Sequence, residues 1–351
     1  MATKKFETLD GLRGIAAMAV VFYHLPGPLH DTVPSGYLAV DLFFLMSGFV
    51  VAGAYEKRLQ DGWQVSGFML VRLQRLWPLY ILGVVLGVAC FVSIRLLQPA
   101  QPFYFPPNMS MAQVATLSLF FLPQFASYGG PAFPFNSASW SLSVELAGNL
   151  AYAMMIRILH SRTLLLLSGI GFLGLAALGL KNGNLNVGVM PSNIASGYIR
   201  FLFSFPLGVL FYRFHVAGKL PVLSPPAWLP LALVSVFFMA SGPLGGMRDV
   251  LVVAVGFPAV LLMSLANAVS PRVAKLFVWA GAVSYAAYIL HPPLAEAMIL
   301  MPGGPIYVGA SFGLAVAVLL LAALAERYFD RPLQGWLRRR RIMATAEGAA
   351  G

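Results

Sequence analysis

Residues 9–25 read LDGLRGIAAMAVVFYHL, an apolar stretch with an arginine near its start and a histidine near its end. Charged and titratable side chains are costly inside apolar membrane segments, so their presence there indicates function by default. Arg13 and His24 are eleven positions apart, which is roughly 16 Å and about three full turns of a helix. Both side chains are therefore expected on one side of a single membrane helix, at opposite depths of the bilayer.

The composition predicts a polytopic membrane protein. Hydrophobic residues make up 59% of the chain and charged residues 10%, whereas soluble domains average roughly 45–50% and 25%. The net charge is +11, and the basic residues lie between apolar segments. This distribution fits the positive-inside rule and argues against nucleic acid as a partner. A single cysteine, Cys90, excludes an intrachain disulfide and a cysteine-based metal site, and no metal is expected. No signal peptide is expected either.

Hydropathy predicts an all-α bundle of about ten transmembrane helices with both termini cytoplasmic. The predicted spans are residues 9–25, 37–55, 76–97, 139–159, 163–180, 196–212, 227–241, 249–268, 276–297 and 306–326. This arrangement puts 19 of the 23 Lys and Arg residues on the inner side, as expected for the inner (cytoplasmic) membrane. Residues 1–335 are expected to form one membrane domain, and residues 336–351 a basic, disordered cytoplasmic tail.

The longest outer segment, residues 98–138, contains one short apolar piece, residues 111–122. This piece is too brief to cross a bilayer. It is either a re-entrant segment that forms a lid over the site, or an interfacial helix in an ordinary surface loop.

The second span carries two candidate site residues near its outer half, Asp41 and Ser47. An acid beside the apolar run FFL needs a partner, and His24 is expected at the same level, so the two would form a base and its orienting carboxylate. The alternative for Asp41 is a helix N-cap exposed to lipid headgroups. Ser47 either lines a pocket or, with Gly48, forms a small-residue contact between helices.

Arg72 and Arg75 in VRLQRLWPLY lie three positions apart, on one helical face at the inner side. Two guanidinium groups on one face suit phosphates or carboxylates, and Arg13 is expected at the same level. The alternative is a topological role, in which these arginines bind lipid phosphate and hold the loop inside.

The fourth span begins SASWSLSVEL, which places Glu145 about 9 Å along the helix from its polar start. Ser141 beside Trp140 is typical of a polar pocket with an aromatic wall that can stack on a sugar. Alternatively, Glu145 pairs structurally with a histidine or an arginine. His291, toward the outer end of the ninth span, is either a further pocket residue or a buried packing residue.

With these residues in view, the sequence resembles the acyltransferase-3 family of integral membrane proteins, which O-acylate surface carbohydrates, peptidoglycan, glucans and some antibiotics. The matching segments, in family order, are LDGLRGIAAMAVVFYH, GYLAVDLFFLMSGF, VRLQRLWPLY, SWSLSVEL and SYAAYILHPP. The family's Arg-x10-His pattern falls on Arg13 and His24, its Arg-x-x-Arg pattern on Arg72 and Arg75, and its two acids on Asp41 and Glu145.

The resemblance implies an acyltransferase for groups other than aminoacyl. It would move an acyl group, most often acetyl, from cytoplasmic acyl-CoA to a hydroxyl of a surface polysaccharide, lipopolysaccharide or glycolipid. Acetyl-CoA would be a co-substrate, and no bound cofactor is expected. The donor phosphates would bind Arg13, Arg72 and Arg75, which leaves the thioester near His24.

His24 would then act as general base or as acyl acceptor, oriented by Asp41 or Glu145. Some family members carry a fused SGNH esterase-like domain. This chain shows none, so transfer to the acceptor is expected from the membrane domain or a separate protein.

A proton-coupled transporter is the rival interpretation, with His24, Asp41 and Glu145 as a proton relay. The lack of a recognisable internal repeat and the inner arginine trio argue against it. A lipid-binding scaffold is a third possibility, but it leaves the burial of His24 and Glu145 unexplained.

Overall fold

The computed structural model describes residues 6–97, 105–126, 128–266, 269–300 and 308–350. Within these ranges the chain consists of helices and loops and contains no β-strand, which confirms the predicted all-α class. The α-helices are α1 (Glu7–His24), α2 (Pro28–Thr32), α3 (Ala39–Val51), α4 (Lys57–Gln60), α5 (Val65–Leu97), α6 (Met111–Leu119), α7 (Ser139–Met155), α8 (Ser161–Asn182), α9 (Ala195–Val216), α10 (Trp228–Met239), α11 (Gly246–Leu251), α12 (Phe257–Met263), α13 (Pro271–Leu300), α14 (Val308–Ala325) and α15 (Arg331–Ala350).

Each of the ten predicted spans coincides with a helical segment, and seven segments in the described part are long and apolar enough to cross a membrane. The seven are Gly36–Gln60, Val65–Leu97, Ser161–Asn182, Ala195–Val216, Gly246–Met263, Pro271–Ile299 and Gly309–Arg340. The other three, α1, α7 and α10, have 18, 17 and 12 residues. Twelve residues rise only about 18 Å against a hydrocarbon core of about 30 Å. The chain is a polytopic helical bundle, and the sidedness of its termini stays a prediction.

The last helix continues into the C-terminal residues, and the predicted disorder of residues 336–351 stays a prediction. A π-helical turn, Glu326–Asp330, joins α14 to α15, which runs to Ala350. Alanine, leucine and arginine are among the best helix formers, and α15 is rich in them. The basic run therefore lies on a helix that extends the final span.

Two helix pairs build the centre of the bundle: α1 packs along α13, and α3 packs along α9. The α3 and α9 backbones touch at two glycines. A methyl group at Gly48 would lie 2.1 Å from the Phe205 carbonyl oxygen, and one at Gly208 would lie 2.0 Å from that of Leu45. Gly48 is thus the small-residue helix contact that the sequence left open, while the neighbouring Ser47 is free for the polar site.

Gly48→Ala is expected to destabilise the protein, because the new methyl group would overlap the α9 backbone and force the helices apart. Overpacking of this kind costs about 1–3 kcal/mol. The measurement is thermal unfolding of the purified protein in detergent. Gly169→Ala on α8, where an added methyl group meets nothing within 4 Å, is the matched control and should unfold at or above the wild-type temperature. Equal unfolding temperatures for both variants would contradict this close helix contact.

The short apolar piece of the outer segment contains a helix, α6, with a capping box formed by Ser110 and Gln113. It lies against α5: Trp77 Nε1 donates to the Leu119 carbonyl at 3.0 Å, and the Tyr80 ring stacks on that of Phe121. The piece is therefore attached to the bundle by specific contacts. Its role as a lid stays a prediction.

Candidate active site

The three predicted arginines line one cavity of about 300 Å³ in the middle of the bundle. The cavity lies between α1, α3, α5, α7 and α13, and its charged and hydroxyl lining consists of Arg13, Ser47, Tyr55, Arg72, Arg75, Ser141, Glu145, Ser284, Tyr285 and Tyr288. Three guanidinium groups face a single lining carboxylate. The sequence predicted the proximity of these arginines correctly, and we call this space the arginine cavity.

Glu145 belongs to the arginine cavity and does not contact His24. Its Oε1 atom accepts hydrogen bonds from Arg72 Nη2 and from Ser47 Oγ, both at 2.6 Å. Glu145 is six residues into α7, about 9 Å from the helix start, which brings it to the level of the arginines. The prediction that Glu145 meets His24 is wrong, and the structural pairing with an arginine is what the structure contains.

The arginines retain hydrogen-bonding capacity toward the cavity. Arg75 Nη1 pairs with Asp330 Oδ2 at 2.6 Å. The contact between Arg13 Nη1 and Asp10 Oδ1 is longer, at 3.7 Å. Arg72 uses Nη2 for Glu145, while its buried Nε atom has no partner among the described residues. With three guanidinium groups and one carboxylate in its lining, the cavity is suited to an anionic ligand. The partner Asp330 was not recognised from sequence, since it lies 255 residues from Arg75.

His24 is the last residue of α1, because Pro26 cannot continue the helix and Leu25 before it is extended. It keeps exposed surface and lines a second, smaller cavity of about 70 Å³, which we call the His24 cavity. The polar and aromatic lining of this cavity comprises His24, Tyr37, Ser137, Trp140, Asn186, Arg200 and Tyr288. The His24 Nδ1 atom is 2.9 Å from the Val20 carbonyl oxygen and 3.3 Å from His291 Nε2.

Asp41 pairs with an arginine that sequence reasoning treated only as a topological charge. Arg200 donates from Nε and Nη2 to the two Asp41 carboxylate oxygens at 3.1 and 2.6 Å. It also donates to the Val187 and Tyr37 carbonyl oxygens. The Asp41 side chain is 0% exposed and that of Arg200 is 1% exposed, so Asp41 is not an N-cap at the headgroups. The prediction that Asp41 orients His24 is wrong as well, although Arg200 links the two by lining the His24 cavity.

The arginine cavity and the His24 cavity share two wall residues, Val40 and Tyr288. The Tyr288 hydroxyl lies 2.6 Å from Ser141 Oγ, and Ser141 lines the arginine cavity. Trp140, the preceding residue, lines the His24 cavity, and its ring centre is 5.3 Å from the Arg200 guanidinium carbon. The predicted Trp140–Ser141 pair thus contributes to both cavities: Trp140 lines the His24 cavity and Ser141 lines the arginine cavity.

Comparison with known proteins identifies the family of the chain. A family model for acyltransferase-3, described as an acyltransferase domain, matches residues 6–327. The chain belongs to the acyltransferase-3 family. This membership makes it an acyltransferase with several membrane helices. The match includes every helix that lines the arginine cavity and the His24 cavity.

Curated relatives align with parts of this acyltransferase-3 chain. It is 38% identical over 157 residues to protein 2 in the picA locus of Rhizobium radiobacter, which covers 43% of the chain and 82% of the relative. It is 36% identical over 84 residues to a putative O-acetyltransferase of Staphylococcus aureus, covering 23% of the chain and 13% of the relative. For acyltransferase MdmB of Streptomyces mycarofaciens the identity is 29% over 171 residues, covering 44% and 40%.

The alignments therefore span less than half of the latter two acyltransferases. No solved structure matches the chain.

Proposed function

We propose that this protein is an O-acyltransferase that uses acyl-CoA as donor and a glycan hydroxyl as acceptor, in the inner membrane. The observation that carries the proposal is the pair of cavities with a common wall: three arginines on one side, an accessible histidine on the other. An acyl thioester bound through its phosphates on one side has only the Val40–Tyr288 wall to pass before it reaches His24.

The arginine cavity suits the donor because of its charge. CoA carries several phosphate charges, and guanidinium groups bind phosphate through paired, charge-assisted hydrogen bonds. Arg13, Arg72 and Arg75 supply three cations there, against one carboxylate in the lining. Glu145 keeps Arg72 oriented in the absence of donor. It is a positioning residue in this proposal.

His24 has the protonation pattern that the reaction requires. A carbonyl oxygen only accepts hydrogen bonds, so the contact with Val20 puts the proton of the neutral ring on Nδ1 and leaves a lone pair on Nε2. As general base, Nε2 takes the acceptor's hydroxyl proton while that oxygen attacks the thioester carbon. The carbon–sulfur bond then breaks, and the departing CoA thiolate takes the proton from Nε2. In the alternative route Nε2 itself attacks the thioester carbon, the carbon–sulfur bond breaks and CoA leaves as the thiolate. The acceptor oxygen then attacks the acyl carbon, the nitrogen–carbon bond breaks, and the hydroxyl proton goes to the thiolate.

Two further observations bear on the acceptor and the acyl group. Trp140 offers an aromatic face at the His24 cavity, where a sugar can stack. One relative is named a putative O-acetyltransferase, which favours acetyl as the transferred group. A surface polysaccharide, lipopolysaccharide or glycolipid is the acceptor class we propose.

The proton-coupled transporter is disfavoured on two grounds. The family is one of acyltransferases, and the supposed relay is divided, since Asp41 binds Arg200, Glu145 binds Arg72 and His24 binds His291. No direct hydrogen bond connects these three groups within the described residues.

Mass spectrometry of surface glycans tests the proposed function. Glycans from a deletion strain and from the complemented strain are compared, and the expected result is a mass difference of one acyl group. This difference names the acyl group and the acceptor together. Identical glycan masses in the two strains, with the protein present in the complemented membrane, would contradict a glycan acceptor.

Arg75→Lys is expected to weaken the binding of CoA to the purified protein by about tenfold, or about 1.4 kcal/mol. Lysine keeps the charge but loses the planar two-pronged donor. Titration calorimetry in detergent is the measurement, and Arg338→Lys on the exposed face of α15 is the matched control. Lost activity with unchanged CoA affinity would show that Arg75 instead holds α5 to Asp330.

A further inference from the structure

His291 is fully buried and hydrogen-bonded through both ring nitrogens. Its exposed fraction is 0%. Nδ1 is 3.1 Å from the Ala287 carbonyl oxygen one turn earlier in α13, and Nε2 is 3.3 Å from His24 Nδ1. The two imidazole centres are 5.0 Å apart. His291 therefore contacts His24 from within the protein, where solvent does not reach it.

The carbonyl contacts determine where the protons are. Each Nδ1 atom faces a carbonyl oxygen, Val20 for His24 and Ala287 for His291. Since a carbonyl cannot donate, both neutral rings carry their proton on Nδ1. His291 Nε2 then has a free lone pair and accepts from His24 Nδ1–H, which it shares with the Val20 carbonyl. The same assignment leaves the lone pair of His24 on Nε2, where no described residue makes a hydrogen bond.

Two prolines interrupt the helical hydrogen bonding next to His291. Pro292 and Pro293 follow His291 and lack N–H groups, so the carbonyls one turn earlier, those of Tyr288 and Ile289, have no helical donor. Asn136 Nδ2 donates to the Ile289 carbonyl at 2.8 Å. This external bond anchors α13 beside His291 and so sets the distance to His24.

The geometry points to His291 as the positioning residue of the reaction, which accepts a hydrogen bond from His24 Nδ1–H, holds the ring in place beside the Val20 carbonyl and stabilises the imidazolium that forms. The sequence predicted Asp41 or Glu145 in this orienting role, whereas the structure has a neutral imidazole there. The inference rests on the proposed function of His24. His291 does not touch substrate, because its side chain is enclosed by protein on all sides.

The titratable and charged neighbours of His24 do not offer a competing acceptor. Besides His291 they are Tyr23 and His30 near the end of α1, and Tyr37, Arg200 and Tyr288 around the His24 cavity. None of them forms a hydrogen bond with the His24 ring within the described residues. His291 is the only side chain of this group that hydrogen-bonds the His24 ring.

The experiment combines two variants with a spectroscopic measurement. His291→Phe keeps the ring volume and removes both nitrogens, while His291→Gln can place Oε1 near the former Nε2 as an acceptor. We expect His291→Phe to lower kcat by about 10–100-fold, since the imidazolium that forms at His24 loses a hydrogen-bond acceptor and its ring loses a positioning contact. KM for both substrates should change by less than about twofold, because binding groups are untouched. His291→Gln should recover much of kcat, and His160→Gln, an exposed histidine between α7 and α8, is the matched control.

Nitrogen-15 NMR of histidine-labelled protein reads the tautomer directly and needs no substrate. The wild-type His24 signal, assigned by its loss in His24→Ala, is expected to show protonated Nδ1 and bare Nε2. His291→Phe should keep this tautomer, because the Val20 carbonyl remains, so its effect on rate reports the loss of the second acceptor alone. A wild-type spectrum with His24 protonated on Nε2 overturns the inference, even if both His291 variants fail to fold.

Wild-type kcat in His291→Phe, alongside an inactive His24→Ala, also overturns it. By contrast, full activity of His24→Ala contradicts the proposed function and leaves the tautomer result standing.

Discussion

Replacing His24 by alanine is expected to abolish acyl transfer while the protein still inserts and folds. The variant loses the only lone-pair nitrogen at the His24 cavity that is free of hydrogen bonds in the described structure, and a positioned base typically contributes 10²–10⁴-fold to rate. The helix itself should tolerate the change, because alanine is the best helix former and His24 is the last residue of α1. Glycan acylation at matched protein level is the measurement.

The control for this experiment is donor binding. The arginine cavity contains no atom of His24, so His24→Ala should bind CoA with wild-type affinity. Acylation above about a tenth of wild type would contradict the assignment of His24, given the usual contribution of a base. Loss of CoA binding would show that the two cavities are not independent.

Asp41→Ala is expected to destabilise the protein severely, for a structural reason and not a catalytic one. It leaves the Arg200 guanidinium buried without its carboxylate, and removal of one partner of a buried ion pair costs about 3–5 kcal/mol. Thermal unfolding in detergent should show a large decrease in stability or no folded protein. An Asp41→Ala variant with wild-type stability and no activity would restore the catalytic role that the sequence suggested.

The double variant Asp41→Leu/Arg200→Met separates the two explanations. Replacing a buried ion pair by apolar residues of similar size is often neutral or stabilising, because no uncompensated charge remains. We expect the double variant to be more stable than Asp41→Ala, with a residual cost from the Tyr37 and Val187 carbonyls that lose their donor. A double variant no more stable than Asp41→Ala would show that the ion pair is not the source of the effect.

The helices and the arginine cluster could be predicted from the sequence, because both depend on local information. Apolar length locates a membrane helix, and the spacing of Arg72 and Arg75 puts them on one face whatever lies opposite. Depth along a helix also follows from residue number, and it brought Arg13 to the level of the other two arginines. These inferences needed no knowledge of how the helices are rotated.

The partners of the acids could not be predicted, because they depend on helix rotation and on distant contacts. Asp41 and His24 lie at a similar level, yet Arg200 of α9 takes the carboxylate. Glu145 was assigned to the wrong end of the site, since the depth at which α7 enters the bundle was not known. An arginine within a predicted span, opposite a buried acid, was the available signal for Arg200. For His291 the signal was a titratable residue just before two prolines, which remove two backbone hydrogen bonds from the helix.

Val40 and Tyr288, the two residues that line both cavities, have a consequence in the proposed function for ion leakage across the membrane. A continuous watery path between an inner and an outer cavity would conduct protons and small ions, and an electrochemical gradient is sensitive to even a narrow leak. Such a path would also expose an energy-rich thioester to hydrolysis by bulk water. In the proposed function, Val40 and Tyr288, whose hydroxyl contacts Ser141, would separate the two cavities between turnovers. An acyltransferase of the kind we propose could then work across a bilayer without becoming a channel.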